Sequence, residues 1–306
     1  MARLPAGMWA KLPIIVVHGA RTGKRMWLSA AIHGDEIGGV EIIRRVLELI
    51  DPATLRGTVV AVPVVNVFGF IEQSRYLPDR RDLNRSFPGS ARGSLAGQLA
   101  DLFMREVVGR CQYGIDLHTG SHHRTNLPQV RADLSDPETR RCARAFGAPV
   151  AIHARVRDGS LREAAARRGI TALLYEGGEA LRFDEAAISA GVRGILGVLR
   201  CLGMVPRETI GPLPAPIEVD ASRWVRASQS GLASISADLG ARCVRGDELA
   251  VITDVLGKRR VVVRAPVAGI VIGRTSNPMV NRGDALIHIA ETSAIAGSRR
   301  PPGRSL

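Results

Sequence analysis

Residues 29–39 of the chain read SAAIHGDEIGG and combine the end of an apolar strand, a tight turn and the start of a helix. An apolar run that begins at Met26 ends at Ile32, His33 follows directly, and Glu36 comes three residues later at the head of a helical pattern. A turn with this spacing brings both side chains to one side, where they offer a nitrogen and a carboxylate oxygen to a metal ion. A turn histidine and a helix-opening glutamate give the same pattern, so the pair alone leaves both interpretations open.

Strand-like and helix-like segments alternate through the first two thirds of the chain. This alternation is typical of an α/β protein with a mostly parallel or mixed central sheet and helices on both faces. We expect the first two strands to be neighbours joined by a turn at Thr22-Gly23, and Ser135 to cap the helix that ends before Gly147. The predicted strands are 14–17, 26–32, 58–65, 113–117, 148–153 and 171–175, and the predicted helices are 36–50, 94–108, 135–146, 160–168 and 183–202.

The last third of the chain has a different texture. Residues 205–216, VPRETIGPLPAP, are rich in proline and predict a linker. Beyond it, short β-type runs alternate with glycine turns, and RGDELAVI at 245–252 recurs as RGDALIHI at 282–289. Such a repeat predicts a small all-β sandwich. The predicted organisation is an α/β catalytic domain over 1–206, a β-sandwich over 217–291 and a disordered tail over 292–306.

Composition limits the classes of partner. No apolar run approaches the roughly 20 residues that a membrane-spanning helix needs, and the N-terminus has no apolar segment of leader type. The four cysteines are scattered without a Cys-x-x-Cys pair, which predicts reduced thiols and a cytoplasmic protein. The net charge of +13 raises nucleic-acid binding as a hypothesis, but the basic residues are spread without interleaved aromatics. We therefore predict no nucleic-acid and no membrane partner, and a basic field that attracts small anionic substrates.

Three further polar stretches lie at or beyond the ends of predicted strands: DLNRSFPG at 82–89, GIDLHTG at 114–120 and LLYEGGE at 173–179. In the second stretch, Asp116 and His118 share one side of a strand, since strand side chains alternate with a period of two. His118 is a candidate third metal ligand, and a catalytic zinc needs three protein ligands and one open position. A strand-end histidine bonded to a nearby carbonyl is the alternative.

The other two stretches offer groups for substrate and proton transfer. Asp82 could accept a hydrogen bond from a ligand imidazole and so fix its tautomer. Asn84 and Arg85 could hold a substrate carboxylate, the arginine by its planar fork, although a loop salt bridge would also explain them. Glu176 follows an apolar strand, and partial withdrawal from water suits a group that transfers protons; a helix-capping carboxylate is the alternative.

Taken together, these stretches resemble the succinylglutamate desuccinylase/aspartoacylase family, relatives of the zinc carboxypeptidases. HGDE, RY…DLNRSFPG, DLH and the EGG stretch occur in the family's order over roughly residues 25–205. The resemblance implies one zinc ion per chain, held by His33, Glu36 and His118. It also implies that Glu176 acts on the zinc-bound water.

The resemblance extends to the substrate groups and the C-terminal region. It places the carboxylate-gripping pair on Asn84 and Arg85, with Asp82 just before them, and the arginine that steadies the oxyanion on Arg75 of an Arg-Tyr pair. The C-terminal repeat resembles the family's small sandwich, which is similar to a lipoyl or biotinyl carrier domain. Its lysine, Lys258, lacks a Met-Lys-Met setting, so we expect no prosthetic group there. All three tyrosines lie in the first domain, so a tyrosine that some family members donate from the sandwich has no counterpart.

The sequence therefore predicts a zinc-dependent amidohydrolase that removes an acyl group from an N-acyl amino acid or a similar small carboxylate. A zinc metallocarboxypeptidase acting on peptides is the alternative among enzymes. A non-catalytic zinc- or ligand-binding protein is the alternative from another class, and the presence of Glu176 beside three ligands argues against it. The expected partner is a small anionic acyl-amino acid, and a homo-oligomer is compatible with the sequence.

Overall fold

A computed structural model of the chain describes residues 2–3, 9–154 and 158–292. The described residues fall into two compact units. The first contains the residues up to Asp220 together with Thr275–Asn277, and the second contains Ala221–Arg274 and the residues from Pro278 onward. Apart from residue 292, the tail that we predict to be disordered lies outside the described residues.

The first unit is built from strands and helices that alternate along the chain. Its strands are β1 (Ala2–Arg3), β2 (Trp9–Ala10), β3 (Ile15–His18), β4 (Arg21–Ala30), β5 (Arg56–Val62), β6 (Tyr113–Gly120), β7 (Arg124–Ala132), β8 (Val150–His153), β9 (Thr171–Glu179) and β10 (Ile217–Val219). Its α-helices are α1 (Gly38–Leu49), α2 (Val67–Ile71), α3 (Leu95–Glu106), α4 (Pro137–Phe146), α5 (Leu161–Ala166) and α6 (Glu185–Cys201). Short 3₁₀ helices occupy Leu83–Arg85, Val108–Arg110 and Arg207–Thr209.

The sheet of this unit has the strand order β10-β8-β7-β9-β6-β4-β5-β3. Strands β5, β4, β6 and β9 run parallel to one another, whereas β3 is antiparallel to β5 and β7 is antiparallel to β9. The prediction of a mixed α/β fold is confirmed. Because β4, β6 and β9 are parallel neighbours, the residues at their carboxyl ends meet at one edge of the sheet.

The core lies in two layers, one on each face of the sheet. Strand β4 shows the division, because Met26 and Leu28 belong to one apolar cluster and Trp27 belongs to the other. Helices α1, α4 and α6 pack into the first cluster, and α3 and α5 pack into the second. Because its side chains alternate between two covered faces, β4 is buried throughout its second half, which is apolar except for Ser29.

Several local predictions differ from the structure. Strands β3 and β4 do not form a hairpin, because each pairs with β5, and Thr22-Gly23 lies inside β4. Asp136, not Ser135, caps α4 by accepting a hydrogen bond from the backbone N–H of Thr139. Strand β7 was not predicted, since its polar sequence and internal Pro128 are unusual in a strand within a sheet. The predicted linker, residues 205–216, is followed directly by β10, which pairs with β8 of the same unit.

The second unit contains strands and no helix among its described residues. Its strands are β11 (Ser222–Arg226), β12 (Gly231–Ile235), β13 (Arg242–Cys243), β14 (Glu248–Thr253), β15 (Arg260–Arg264), β16 (Gly269–Thr275, whose last residue belongs to the first unit), β17 (Met279–Val280) and β18 (Ala285–Glu291). They form the groups β11-β18-β16-β13 and β15-β14-β12-β17, which share one apolar cluster.

The sequence repeat has the same local structure in both copies. Gly246 and Gly283 adopt positive φ values of 97° and 93°, a region that favours glycine. The following aspartates also correspond, because Asp247 accepts a hydrogen bond from the N–H of Val244 and Asp284 accepts one from the N–H of Asn281. Each turn then leads into a strand, β14 or β18.

None of the helices in the described ranges has the length and apolar character required to cross a membrane.

The packing of α1 against the sheet gives a stability prediction. A Cβ atom on Gly39 would lie 2.7 Å from the Cβ atoms of both Ala30 and Leu117, so Gly39→Val forces α1 away from β4 and β6. We expect the free energy of unfolding to fall by about 1–3 kcal/mol, the usual cost of overpacking. Chemical denaturation measures this, with Gly211→Val as the control because nothing lies within 4 Å of that position. Equal stability of the two variants would contradict the packing described here.

Candidate metal centre

Three buried side chains from two distant parts of the chain meet beyond the carboxyl end of β4. His33 and Glu36 lie in the turn between β4 and α1, and His118 lies in β6, which is parallel to β4. One donor atom from each residue lies within 4.8 Å of the other two, and all three residues are at most 4% exposed. The structure therefore brings together the three residues that the sequence singled out as metal ligands.

The two imidazoles have the same orientation relative to Glu36. The Nδ1 atom of His33 lies 2.8 Å from Glu36 Oε1, and the Nδ1 atom of His118 lies 2.7 Å from Glu36 Oε2. The Nε2 atoms point away from Glu36 to other carboxylates: His33 Nε2 lies 3.2 Å from Asp82 Oδ1, and His118 Nε2 lies 2.7 Å from Asp116 Oδ2. With the proton on Nε2, each ring donates to its aspartate and presents the lone pair of Nδ1 beside Glu36, as a metal-binding histidine does.

The two aspartates are themselves held in place. Ser29 in β4 donates a hydrogen bond of 2.7 Å from Oγ to Asp116 Oδ1. Arg75 donates from Nη2 to Asp82 Oδ2 at 2.9 Å, and its Nη1 lies 3.3 Å from Glu36 Oε1. A second layer of hydrogen bonds thus fixes the carboxylates that fix the imidazoles.

The electrostatics of the cluster favour positive charge. Burial alone would lower the pKa of His118, but the charges of Asp116 and Glu36 outweigh burial and raise it well above its usual range. Burial likewise opposes the charged form of His33, and the charge of Glu36 with the hydrogen bond to Asp82 raises its pKa. Burial would raise the pKa of Glu36, yet the two adjacent imidazoles hold it well below its usual range.

The donor set fits a divalent metal ion. With both imidazoles neutral, the carboxylates of Glu36, Asp82 and Asp116 and the guanidinium of Arg75 leave two negative charges in a buried region. A divalent cation would balance them. Two imidazole nitrogens and one carboxylate oxygen are a ligand set of catalytic zinc sites, in which a fourth position stays open.

Three predicted residues of the stretch that begins at Asp82 lie in or next to a short 3₁₀ helix. Asp82 caps the 3₁₀ helix Leu83–Arg85. Burial would raise the pKa of Asp82, but His33 and Arg75 outweigh burial and hold the pKa below its usual range. Asn84 is buried and accepts a hydrogen bond of 2.9 Å from the N–H of Leu161, so it also fixes the start of α5. Arg85 is exposed, and its Nη1 donates to the carbonyl oxygen of Asn84.

Glu176 lies within β9 and not at its end, because the strand continues to Glu179. Its Cα is paired with that of His118 on the neighbouring parallel strand, so both side chains project from the same face of the sheet. Asn126 donates from Nδ2 to Glu176 Oε2 at 2.5 Å, and Arg131 Nε lies 3.8 Å from Glu176 Oε1. Sequence reasoning missed both partners, since they lie on the unpredicted strand β7.

The mixed sheet and its buried His–Glu–His cluster place the protein among α/β proteins with a candidate metal centre. The catalytic domain of the succinylglutamate desuccinylase/aspartoacylase family matches residues 22–202, which is more than half of the chain. The protein belongs to that family, and the resemblance found in the sequence is confirmed.

One curated relative and two solved structures are similar to this chain over most of their length. The N-alpha-acetyl-L-2,4-diaminobutyric acid deacetylase of Halomonas elongata is 30% identical over 293 residues, which are 92% of this chain and 85% of that protein. The product-bound ectoine utilization protein EutE (DoeB) from Ruegeria pomeroyi has a TM-score of 0.83 and 25% identity, covering 92% of this chain and 89% of that one. A succinylglutamate desuccinylase/aspartoacylase from Rhodobacter sphaeroides has a TM-score of 0.85 and 27% identity, covering 95% and 93%. The family and the Halomonas relative indicate an amide-hydrolysing enzyme.

The contact between His118 Nε2 and Asp116 predicts that loss of the Asp116 carboxylate weakens metal binding. Asp116→Ala removes the acceptor for His118 Nε2, so we expect the dissociation constant for zinc to rise by about 10–100-fold, as for other lost supports of metal ligands. His118→Ala removes a ligand and is expected to abolish stoichiometric zinc binding. Competition with a chromophoric chelator measures both affinities.

The matched control is Asp133→Ala, because Asp133 also lies near a histidine nitrogen, His153 Nδ1 at 3.7 Å, but is half exposed. It should leave zinc affinity unchanged. An Asp116→Ala protein that binds zinc as tightly as this control would contradict the role given to Asp116.

Proposed function

We propose that the protein is a zinc-dependent amidohydrolase that removes an acyl group from the amino nitrogen of a small N-acyl amino acid. The observation that carries this proposal is the buried cluster of His33, Glu36 and His118 beside the partly exposed carboxylate of Glu176, which is paired in register with His118. Membership of a family whose named relatives are deacylases of amino acids supports the same reaction.

Each residue has a separate task in the proposed mechanism. His33, Glu36 and His118 would hold the metal, and a bound zinc ion would lower the pKa of a water molecule toward about 7 and polarise the amide carbonyl. Glu176 accepts a proton from the attacking water and delivers it to the departing amine. Arg75 supplies a fixed positive charge beside the cluster, where it stabilises negative charge developing on the carbonyl oxygen.

The substrate carboxylate is assigned to the 3₁₀ helix Leu83–Arg85. Arg85 is exposed, and its guanidinium retains donors for a carboxylate beyond the one directed at Asn84 O. Asn84 is buried with its Oδ1 committed to the backbone of α5, which leaves its Nδ2 as the group that can donate to substrate. The positive net charge of the chain favours the approach of such an anionic substrate.

The second unit completes the proposal. We propose that its two groups of strands form the small sandwich that the sequence predicts, with Lys258 unmodified. Lys258 directly follows the Asp254–Gly257 turn between β14 and β15, where its backbone N–H donates to Asp254 Oδ1. The location in the cytoplasm and the possibility of a homo-oligomer remain predictions.

A substrate panel tests the proposal. Zinc-loaded protein is assayed with Nα-acetyl-L-2,4-diaminobutyrate, N-succinyl-L-glutamate, other N-acetyl amino acids and short peptides, with and without a chelator. We expect release of a free amino acid from one of the acyl-amino acids, loss of activity with the chelator and recovery with zinc. Cleavage confined to peptides would establish the carboxypeptidase alternative, and tight zinc binding without turnover of any substrate would establish the non-catalytic one.

Glu176→Gln separates proton transfer from metal binding. The glutamine retains the shape of the side chain but cannot accept the water's proton, so we expect kcat to fall by about 10²–10⁴-fold. Zinc content and KM should be close to those of the unaltered protein. The control is Glu179→Gln on the same strand. The carboxylate of Glu179 accepts a hydrogen bond from Thr125 and is assigned no catalytic task. Loss of zinc, or a kcat like that of the control, would refute the assignment of Glu176.

Arg85→Ala should have the opposite kinetic signature. Loss of a hydrogen bond to a charged group costs about 1.5–3 kcal/mol, so we expect KM to rise by roughly 10–100-fold while kcat changes little. Arg92→Ala removes the same charge from another exposed position and serves as the control. Steady-state kinetics of both variants measure this. A fall in kcat with an unchanged KM in Arg85→Ala would contradict the assignment.

A further inference from the structure

Strand β7 contains an extra residue directly beside Glu176. Along the antiparallel pair, Asn126 is opposite Gly178, and Gln129 is opposite Glu176. Between these two pairs, β7 advances by three residues and β9 by two, which is the count of a β-bulge. Pro128 lies in this stretch and has no N–H to give to a neighbouring strand.

The bulge changes which side chains of β7 face Glu176. In a regular strand, residues separated by an odd number lie on opposite faces, so Asn126 and Gln129 would point apart. The extra residue interrupts the alternation, so Asn126 and Gln129 are opposite Gly178 and Glu176, two positions of β9 that share the face from which Glu176 projects. Bulges beside functional sites commonly redirect a side chain in this way.

The redirected side chain makes a short hydrogen bond to the proposed proton acceptor. Asn126 is 8% exposed, and its Nδ2 donates to Glu176 Oε2 at 2.5 Å. A hydrogen bond to an ionised carboxylate is shorter and stronger than one between neutral groups. Asn126 therefore restricts a glutamate side chain that would otherwise sample several rotamers.

The other carboxylate oxygen of Glu176 is left without a hydrogen bond from the described residues. Glu176 Oε1 lies 3.8 Å from Arg131 Nε, which is beyond hydrogen-bonding distance. One oxygen is thus anchored, and the other remains available to accept a proton. An error of about 1 Å in the placement of a reacting group can cost roughly 10²-fold in rate.

We propose that Asn126 is a positioning residue for the reaction: it anchors Glu176 Oε2 so that Oε1 accepts the proton of the attacking water. The inference rests on the proposed function, because it takes Glu176 as the general base. The bulge in β7 is the structural device that makes the contact possible. Asn126 acts through Glu176 and has no separate contact with substrate in this account.

Kinetic measurements on Asn126→Ala and Asn126→Asp test the proposal. Both variants lose the donor to Oε2. The alanine variant reports on the donor alone. The aspartate retains the size of the side chain and adds a like charge beside Glu176, so it keeps the test valid if the alanine variant folds poorly. We expect kcat to fall by about 10–10²-fold, with KM within about threefold and zinc content unchanged. Thr125→Val is the matched control, because it removes a hydrogen bond from β7 to the carboxylate of Glu179.

A double-mutant cycle distinguishes positioning from a general structural role. In Glu176→Gln protein, the general base is already absent, so adding Asn126→Ala should reduce kcat by less than about threefold. The same loss in both backgrounds, or a wild-type kcat in Asn126→Ala and Asn126→Asp, would overturn the inference while leaving the proposed function intact. A wild-type kcat in Glu176→Gln itself would instead overturn the proposed function.

Discussion

The candidate site depends on two buried imidazoles that are each placed between carboxylates. His118 lies between Asp116 and Glu36, and His33 lies between Asp82 and Glu36. The outer carboxylate fixes the tautomer of each ring, and the shared Glu36 brings the two Nδ1 atoms together. Buried negative charge is costly without a compensating partner, so this arrangement favours a bound cation.

The topology of the sheet brings these residues together. Strands β4, β6 and β9 are adjacent and parallel, so a turn after β4 and two strand positions on β6 and β9 meet although they lie far apart in the sequence. Strand β7 then adds an antiparallel neighbour to β9 and contributes the partners of Glu176. His118 and Glu176 thus lie on strands, and His33 and Glu36 lie in the turn between β4 and α1. The strands and α1 pack into the apolar clusters on the faces of the sheet.

Local patterns in the sequence predicted most of the regular elements and the residues of the cluster. His33 and Glu36 are separated by one turn, so their proximity follows from local geometry alone. His118 required the additional assumption that its strand adjoins the first one, which the family motifs supplied. The hydrogen bond from Ser29 to Asp116 joins residues 87 positions apart, and no local pattern indicates such a contact.

The pairing of β3 and the existence of β7 were not predicted, and both failures have a physical explanation. Strand pairing is non-local, so the apolar pattern of β3 predicts a strand but not its pairing with β5. Strand β7 has an internal proline and alternates poorly because of its bulge, and both features weaken the signal of a strand. Glu176 was therefore predicted as a site residue, whereas its hydrogen-bond partner Asn126, on the unpredicted strand β7, was not.

The central claim is that His33, Glu36 and His118 together hold one zinc ion. X-ray absorption at the zinc edge of the purified, zinc-loaded protein tests it most directly, because it reports the type and distance of the ligand atoms. The account predicts two imidazoles at about 2.0–2.1 Å and oxygen ligands at about 2.0–2.2 Å, with no sulfur. A spectrum with sulfur at about 2.3 Å, or one without imidazole scattering, would contradict it.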